Sequence, residues 1–370
     1  MSTRMVPAVL AIAIGLALAV MLFVPYVAQQ YRRRGEFGIG NAALAFTGLL
    51  YGLGLIAYVL IPLPELTPDF CATSGMWPPQ WVPFNFLHDM QKEAVGVGLG
   101  ATLRNPALTQ VLLNVSLFVP LGMFVRHMFG RSVAATTVIA LACSLLIEVT
   151  QVTGIWFLYP CPYRLFDVDD LMANSLGGLA GALAAPVLRA VPGQRLTAEP
   201  GAPRPVTRSR RLLASLCDLL LFQLSTVLVS SICTVLGIFP TRQADQLAAS
   251  WLPWFVLVIA LPLAGSATSI GQRIVHLRVT TADGHPPGVG PRLVRSLAGT
   301  GGYLLLVQLG ELPGGPSGLA AFSVLAGIFP VASLIGLFTT SGYRGLSCAA
   351  ARLRMTDART PLRQPDVVSA

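Results

Sequence analysis

Long apolar segments alternate with short polar segments along most of the chain. A helical run of about 20 apolar residues matches the thickness of a hydrocarbon core. Lipid offers no partner to unpaired backbone groups, so such segments must be helices. The pattern predicts an all-α, multi-pass membrane protein with about nine transmembrane helices in two bundles. The predicted spans are 6–28, 38–61, 109–125, 132–153, 171–188, 212–238, 251–270, 296–312 and 317–340.

The segment 296–312 is shorter and richer in glycine than the other predicted spans. If it does not cross the membrane, the C-terminus moves to the other side. Residues 192–211 are rich in proline, glycine and arginine and lack apolar periodicity, which is typical of a linker. The predicted organisation is therefore a membrane anchor at 1–37, a membrane domain at 38–191, a cytoplasmic linker at 192–210, a second membrane domain at 211–356 and a cytoplasmic tail at 357–370.

Composition and charge narrow the class of protein further. The chain is 54% hydrophobic and 11% charged, whereas soluble domains carry about 25% charged residues. The net charge of +9 comes from arginines that fall mostly in loops on one side of the predicted membrane. This bias marks the cytoplasmic side, so we expect a bacterial plasma membrane protein with its N-terminus outside and its C-terminus in the cytoplasm. Membrane lipid is the expected partner of this charge, and nucleic acid is not.

The predicted topology also places the six cysteines in different environments. Only Cys71 and Cys161 fall in predicted external loops, where the environment is oxidising. We therefore predict a disulfide between them, which ties the long external loop to a polar cluster described next. The alternative is two free surface thiols.

Polar residues interrupt three predicted spans at the same depth, the external membrane boundary. Glu148 and Gln151 are three residues apart and so share a helix face. The next segment places its polar residues at spacings of three, three and four, which also trace one face. We call these side chains the external polar cluster; its members are Asn114, Glu148, Gln151, Arg164, Asp167, Asp170 and Asn174.

Several interpretations of the external polar cluster stay open. Ionisable residues in spans are by default functional candidates. In a structural interpretation, Asp170 caps a helix, Arg164 pairs with Glu148 or Asp167, and the asparagines bond across helices. In functional interpretations, Glu148, Asp167 and Asp170 hold a divalent cation, two carboxylates act as acid and base at a lipid headgroup, or Arg164 and the amides recognise a polar ligand.

Aromatic residues in the long external loop add a second feature. Trp77, Trp81, Phe84 and Phe86 lie among prolines, a composition typical of the membrane–water boundary. We call residues 77–86 the aromatic lip, and it is either an interfacial anchor or a binding surface for an amphiphile.

Residues 40–190 resemble the VanZ-like family. The resemblance rests on Pro83-Phe84-Asn85, on Asn114 followed by Phe118-Val-Pro120-Leu-Gly122, on Glu148-x-x-Gln151, and on Arg164-x-x-Asp167-x-x-Asp170-x-x-x-Asn174-x-x-Gly177. The family is named for an accessory protein of glycopeptide resistance, associated with teicoplanin. The resemblance implies a role in envelope stress or lipoglycopeptide tolerance, and it names a phenotype without naming a reaction.

Residues 207–356 resemble the RDD family of small membrane domains. The residues that carry the resemblance include Arg211, Asp218, Arg273, Arg278 and Arg295. Cys348 stands where the family usually has an aspartate, which weakens any implied ion-transport role. Asp218 paired with a loop arginine is expected to be structural. Asp283-Gly284 is a turn signal and predicts a small hairpin in the loop.

Three functions remain as hypotheses. The first is a cell-envelope protein that lowers sensitivity to lipoglycopeptides by engaging the drug or a lipid-linked precursor at the external polar cluster. The second is a membrane enzyme acting on a lipid-linked substrate, and no histidine, serine or free cysteine sits at triad-like positions to support it. The third is a transporter, which would require a flux that depends on Asp218. The sequence implies no cofactor apart from the divalent cation already considered, and it does not fix an oligomeric state.

Overall fold

The structure is a computed structural model that describes residues 5–60, 66–73, 78–94, 96, 98–195, 199, 201–239, 241–265, 267–312 and 320–361. The chain divides into two compact units. Unit 1 comprises Met1–Ala19 and Gly38–Arg195, and unit 2 comprises Val20–Phe37 and Leu196–Ala370. The first helix, α1 (Met5–Arg34), is divided between them.

The regular elements of unit 1 are helices, apart from one isolated β-bridge in its described part. Its remaining helices are α2 (Ile39–Leu60), α3 (Phe70–Thr73), α4 (Asn85–Lys92), α5 (Leu99–Leu103), α6 (Pro106–Phe129), α7 (Val133–Val152), α8 (Gly154–Phe157) and α9 (Val168–Ala184), followed by a 3₁₀ turn at Ala185–Ala190.

Unit 2 adds a small sheet to its helices. In chain order it contains α10 (Arg208–Leu236), α11 (Arg242–Trp254), a π-helical turn (Phe255–Ala260), α12 (Leu261–Ala264), α13 (Ile270–Ile274), β1 (Leu277–Thr280), α14 (Val289–Leu297), α15 (Thr300–Gly310), α16 (Ala320–Thr339), a 3₁₀ turn (Ser341–Tyr343), α17 (Gly345–Ala350) and β2 (Arg354–Asp357).

Within the described residues, eight helical segments are long and apolar enough to cross a membrane. The prediction of an all-α multi-pass membrane protein is confirmed, and the described residues contain eight such segments where nine spans were predicted. The difference lies at 296–312, where α14 ends and α15 has only 11 residues. At 1.5 Å per residue α15 rises about 16 Å, roughly half of a hydrocarbon core.

Strands β1 and β2 pair antiparallel, with Leu277 opposite Asp357 and Thr280 opposite Arg354. Paired strands lie on one side of a membrane, so the chain between them returns to the side from which it left. The hairpin predicted around Asp283-Gly284 is wrong. Gly284 does occupy a turn with φ of 88°. The strand that pairs with β1, however, is β2, which follows α17 in the chain. The carbonyl and amide groups of residues 354–357 form the hydrogen bonds with β1.

Three glycines bring α6 and α9 into backbone contact in unit 1. A side chain at Gly177 or Gly181 would overlap the carbonyl oxygens of Val115 or Val119 on α6, and one at Gly122 would overlap α9. Small residues at helix crossings let backbones approach closely in membranes. We call this contact the glycine seam, and it sets the spacing of the helices that carry Asn114 and Asp170.

The core of unit 2 surrounds the sheet. Buried side chains from α1, α10, the β1 region and β2 form one apolar cluster, which includes Val27, Cys217, Val275, Leu353 and Met355. This cluster fixes the start of α10 and the loop before α13, and these two segments hold the polar groups of the second domain.

Candidate functional site

Hydrogen bonds that involve three members of the external polar cluster join helices α6, α7 and α9. The Asn114 amide donates a hydrogen bond to Oδ1 of Asp170, which joins α6 to α9. Asn174 Nδ2 donates to Ser144 Oγ at 2.8 Å, which joins α9 to α7. The asparagines thus bond across helices. Interhelical hydrogen bonds of this kind stabilise membrane bundles modestly.

Glu148 is the most deeply buried carboxylate of the cluster, with 2% of its surface exposed. Its Oε2 atom accepts the backbone N–H of Asp167 at 3.1 Å. A carboxylate at a helix end in a membrane requires such a partner because desolvation is costly. Glu148 therefore anchors the start of α9 to the end of α7.

Asp167, rather than Asp170, caps α9. Its side chain accepts the Asp169 N–H at 2.8 Å, as an N-cap residue does. Burial raises the pKa of Asp167, and the neighbouring charge of Asp169 raises it further, whereas the hydrogen bond from the Asp169 N–H lowers it. The structural alternative that gave the cap to Asp170 is wrong, since the extended backbone of Asp167 places its carboxylate at the open N–H groups.

Asp169 is a functional candidate that the sequence pattern did not single out. It is 6% exposed, and its two carboxylate oxygens accept the backbone N–H groups of Phe84 and Phe86 at 2.6 and 2.8 Å. We call this contact the Asp169 latch. Phe84 has φ of 64°, a left-handed conformation that is uncommon outside glycine, and the latch holds it there.

A second contact fixes the same loop. Gln80 and Asp167 form a parallel β-bridge, in which Gln80 donates its N–H to the Phe166 carbonyl at 2.8 Å and accepts from the Val168 N–H at 3.1 Å. The Trp81 and Phe166 rings lie 4.8 Å apart. Backbone bonds and ring packing therefore hold the aromatic lip beside the carboxylates at the start of α9.

The described part of the aromatic lip is exposed despite being fixed. Trp81 is 64% exposed and Phe84 56%, and Trp77 lies outside the described residues. A second exposed aromatic pair, Trp156 and Phe157, occupies left-handed backbone in α8. Exposed apolar groups at this density mark membrane contact or ligand contact.

Gln151 and Arg164 complete the predicted members of the cluster. Gln151 is 4% exposed and donates to the Val59 carbonyl on α2 at 3.4 Å, a long contact. Arg164 is exposed, and among the described residues no carboxylate lies within ion-pair distance of it. The alternative that paired Arg164 with Glu148 or Asp167 is therefore wrong.

The predicted disulfide partners are joined in the structure. Cys71 in α3 and Cys161 are disulfide-bonded, with their Cα atoms 5.7 Å apart. Phe70 and Tyr159 pack beside the bridge, with ring centroids 5.5 Å apart. The bridge ties the loop that contains α3 to the segment that leads into α9. Within the described residues no group of three or more histidine, cysteine, aspartate or glutamate side chains has a metal-binding arrangement.

In unit 2, Asp218 accepts hydrogen bonds from the N-terminal end of α13 and does not pair with an arginine. Its Oδ2 accepts from Ser269 Oγ at 2.5 Å and its Oδ1 from the Gly271 N–H at 2.7 Å. The expected pairing of Asp218 with a loop arginine is wrong: in the part of the chain that is described, no arginine is within ion-pair distance. The dipole and free N–H groups at the start of α13 take its place.

The arginines of the second domain bind mostly backbone carbonyls. Arg211 donates to the Tyr343 carbonyl, Arg273 to the Leu261 carbonyl at 3.4 Å, and Arg278 to the Ala358 carbonyl at 2.7 Å. Each of these bonds ties a loop to a helix or strand.

Arg295 has the most unusual surroundings of these arginines. It is 4% exposed and donates to Cys348 Sγ at 3.4 Å, to Gln272 Oε1 at 2.5 Å and to the Ala267 carbonyl. Cys348 is fully buried, at the position where an aspartate was expected. No carboxylate among the described residues lies within ion-pair distance of Arg295.

A buried ion pair, which the sequence pattern did not reveal, joins α10 to strand β2. Arg210 at the start of α10 contacts Asp357 on β2 at 2.7 Å, and Arg359 contacts the same carboxylate at 2.7 Å. Arg210 also donates to the Val275 and His276 carbonyls, both at 2.8 Å. Burial alone would raise the pKa of Asp357, but hydrogen bonds from Arg359 and Arg210 outweigh it and hold the pKa well below its usual range.

Comparison with known protein families assigns each half of the chain. Residues 46–189 match the VanZ/LLP1 family, and residues 205–346 match the RDD family. No curated protein matches the chain, and no solved structure matches it. The matched ranges contain the external polar cluster and the Arg295 region respectively, so both resemblances are confirmed. Residues 46–189 therefore form a VanZ-like domain and residues 205–346 an RDD-family domain, within a multi-pass membrane protein of the cell envelope.

Proposed function

We propose that this protein lowers the sensitivity of a bacterial cell to lipoglycopeptides of the teicoplanin type, by binding the drug or a lipid-linked envelope precursor at the external polar cluster. It does so in the plasma membrane, with its N-terminus outside and its C-terminus in the cytoplasm, an orientation in which the 296–312 segment and α16 together carry the chain out and back, as the pairing of β1 with β2 also requires. The arginine-rich loops support this orientation. Fusions of a periplasmic and a cytoplasmic reporter to each loop test it.

The observation that carries the proposal is the Asp169 latch. It holds an exposed aromatic surface, Trp81 and Phe84, beside carboxylate and amide groups. A ligand with an acyl chain and a polar head needs both kinds of surface close together. A fixed loop also reduces the ordering cost of binding, and the exposed Arg164 offers a guanidinium to an anionic head.

The geometry favours binding over catalysis. Glu148 accepts the Asp167 N–H, and Asp170 accepts the Asn114 amide. Asp167 caps α9. Each of these carboxylates thus has a partner within the protein. A general acid or base needs a carboxyl group that can reach the substrate, and these contacts restrict that reach.

The test is teicoplanin and vancomycin susceptibility in a sensitive host, at matched membrane expression. The strains carry the wild type, Asp170→Asn, Phe84→Gly, the control Glu93→Gln or an empty vector. Glycine accepts the left-handed backbone of Phe84, so this change removes the ring and keeps the loop. Glu93 is exposed in the same loop. The proposal expects the wild type and Glu93→Gln to protect against teicoplanin, and both site variants to lose protection.

Other outcomes decide between the remaining hypotheses. No protection by the wild type contradicts the proposal. Full protection by Phe84→Gly, with none from Asp170→Asn, assigns the cluster to a membrane enzyme, because an isosteric amide then abolishes chemistry while the lip matters little. Teicoplanin binding to purified protein with and without a chelator tests for a divalent cation at Glu148, Asp167 and Asp170.

A further inference from the structure

Unit 2 contains a cavity of about 540 Å³ whose wall is apolar on one side and polar on the other. Pockets of this volume hold small molecules. The apolar wall comes mainly from the spanning helix α16 and includes Phe329, Val331, Leu334 and Leu337. The polar wall comes from the start of α10, from α13 and from the end of α14.

Two arginines give the polar wall a positive charge. Arg295 is buried without a carboxylate partner in the described part of the chain, and it keeps N–H groups beyond those that bind Cys348, Gln272 and Ala267. Arg211 lines the same cavity. A guanidinium has five N–H donors, and the hydrogen bond to Tyr343 uses one from Arg211. A buried charge is costly unless a counter-ion pairs with it.

Asp218 also lines the cavity, but among the described residues no arginine lies within ion-pair distance of it. Both of its oxygens already accept hydrogen bonds, from Ser269 and from the Gly271 N–H. The charged side chains on the cavity wall are thus two cations and one anion, and the anion is engaged at a helix start.

Ser296 supplies an independent observation. It lies in the cavity wall and is only 8% exposed. Its Oγ atom is buried and has no hydrogen-bond partner in the described structure. A buried hydroxyl without a partner costs free energy, so an acceptor in the cavity would satisfy both Ser296 and the arginines.

We infer that this cavity binds an anionic phospholipid, with its phosphate at Arg211, Arg295 and Ser296 and an acyl chain along α16. Guanidinium groups match the geometry of phosphate oxygens. The depth also fits, since Arg211 lies in the first turn of a spanning helix, near the membrane boundary. The apolar wall then follows the hydrocarbon region, where the surrounding bilayer supplies the ligand at high local concentration.

The experiment measures lipid retention by the purified full chain in a nonionic detergent, using native mass spectrometry. The probes are phosphatidylglycerol, zwitterionic phosphatidylethanolamine and inorganic phosphate. The variants are Arg211→Gln and Ser296→Ala. Arg208→Gln is the matched control, because Arg208 lies three residues earlier on α10, is exposed and does not line the cavity.

We expect Arg211→Gln to weaken phosphatidylglycerol binding about tenfold, as loss of one charge-assisted hydrogen bond does. Ser296→Ala is expected to weaken it about threefold without affecting folding, since no protein contact is lost. Arg208→Gln should match the wild type. The assignment is wrong if phosphatidylglycerol is retained equally by Ser296→Ala, Arg211→Gln and Arg208→Gln. Equal affinity for phosphatidylethanolamine, or binding of inorganic phosphate as tight as that of the lipid, also overturns it.

Discussion

The carboxylate of Asp169 accepts the backbone N–H of Phe84 at 2.6 Å and so holds an aromatic residue in left-handed conformation. The two residues are 85 positions apart in the chain. The contact makes the external loop a fixed part of the VanZ-like domain, at the point where α9 begins.

Asp169→Asn is expected to loosen this loop. An amide has one oxygen, so only one of the Phe84 and Phe86 N–H groups keeps its acceptor, and the lost hydrogen bond to a charged group is worth about 1.5–3 kcal/mol. Hydrogen exchange of the 80–92 segment should speed up, while exchange in α6 and α7 stays as in the wild type. Glu93→Gln is the control, and unchanged exchange in Asp169→Asn would contradict the role of the latch.

Gly181→Ala is expected to separate α6 from α9. The added methyl group would overlap the Val119 carbonyl, and overpacking of this kind costs about 1–3 kcal/mol. Thermal unfolding in detergent should occur at a lower temperature. Gly52→Ala is the control, since a methyl group there meets no atom within 4 Å and alanine favours a helix. If the two variants unfold alike, the glycine seam does not set the helix spacing.

Cysteine labelling checks the external bridge. In the denatured, unreduced protein four of the six cysteines, namely Cys143, Cys217, Cys233 and Cys348, should react with a maleimide. Reduction should raise the number to six. The double variant Cys71→Ser, Cys161→Ser should give four under both conditions and unfold more readily, by about 2–4 kcal/mol. Six labels without reduction would show that the bridge is absent.

Asp357→Asn is expected to destabilise the RDD domain by about 3 kcal/mol near neutral pH, because it leaves the buried Arg210 without its counter-ion. The pKa of Asp357 in the folded state lies below its ordinary value of 3.8. The extra stability of the wild type over Asp357→Asn is therefore present above about pH 4. It is lost as the pH falls through the pKa of Asp357 in the folded state.

Thermal unfolding of wild type and variant across this range measures the effect. The difference in unfolding temperature between the wild type and Asp357→Asn should be largest near pH 7 and should become smaller in acid. Asp283→Asn, in an exposed turn of the same domain, is the control and should unfold like the wild type. A gap that does not depend on pH would contradict the ion-pair explanation.

Apolar length and residue spacing were sufficient to predict most of the membrane helices. These features act within one segment, so the sequence displays them directly. The spacing of Glu148, Asp167 and Asp170 likewise predicted that these residues lie close together, and Glu148 does bind the Asp167 backbone. The break between α14 and α15 was missed because the 296–312 stretch keeps an apolar composition on both sides of Gly299.

Contacts between distant segments were harder to predict. Asp169 lies off the helical face that Asp167, Asp170 and Asn174 share, so spacing did not reveal its role. The partner of β1 was missed for a similar reason, since β2 lies more than 70 residues further along the chain and carries no local pairing signal. Asp357 falls in the predicted cytoplasmic tail, because no residue close to it in the sequence indicates that it pairs with Arg210.

The pairing of β1 with β2 has a consequence for biosynthesis. Chains emerge from the ribosome with the N-terminal part first, so Arg210 and the backbone of β1 are made long before Asp357. Until α16 is inserted and β2 arrives, the guanidinium and the strand edge have no partners within the sheet. The sheet therefore closes only after α16 has been made, and a chain that stops after α14 leaves the edge of β1 unpaired.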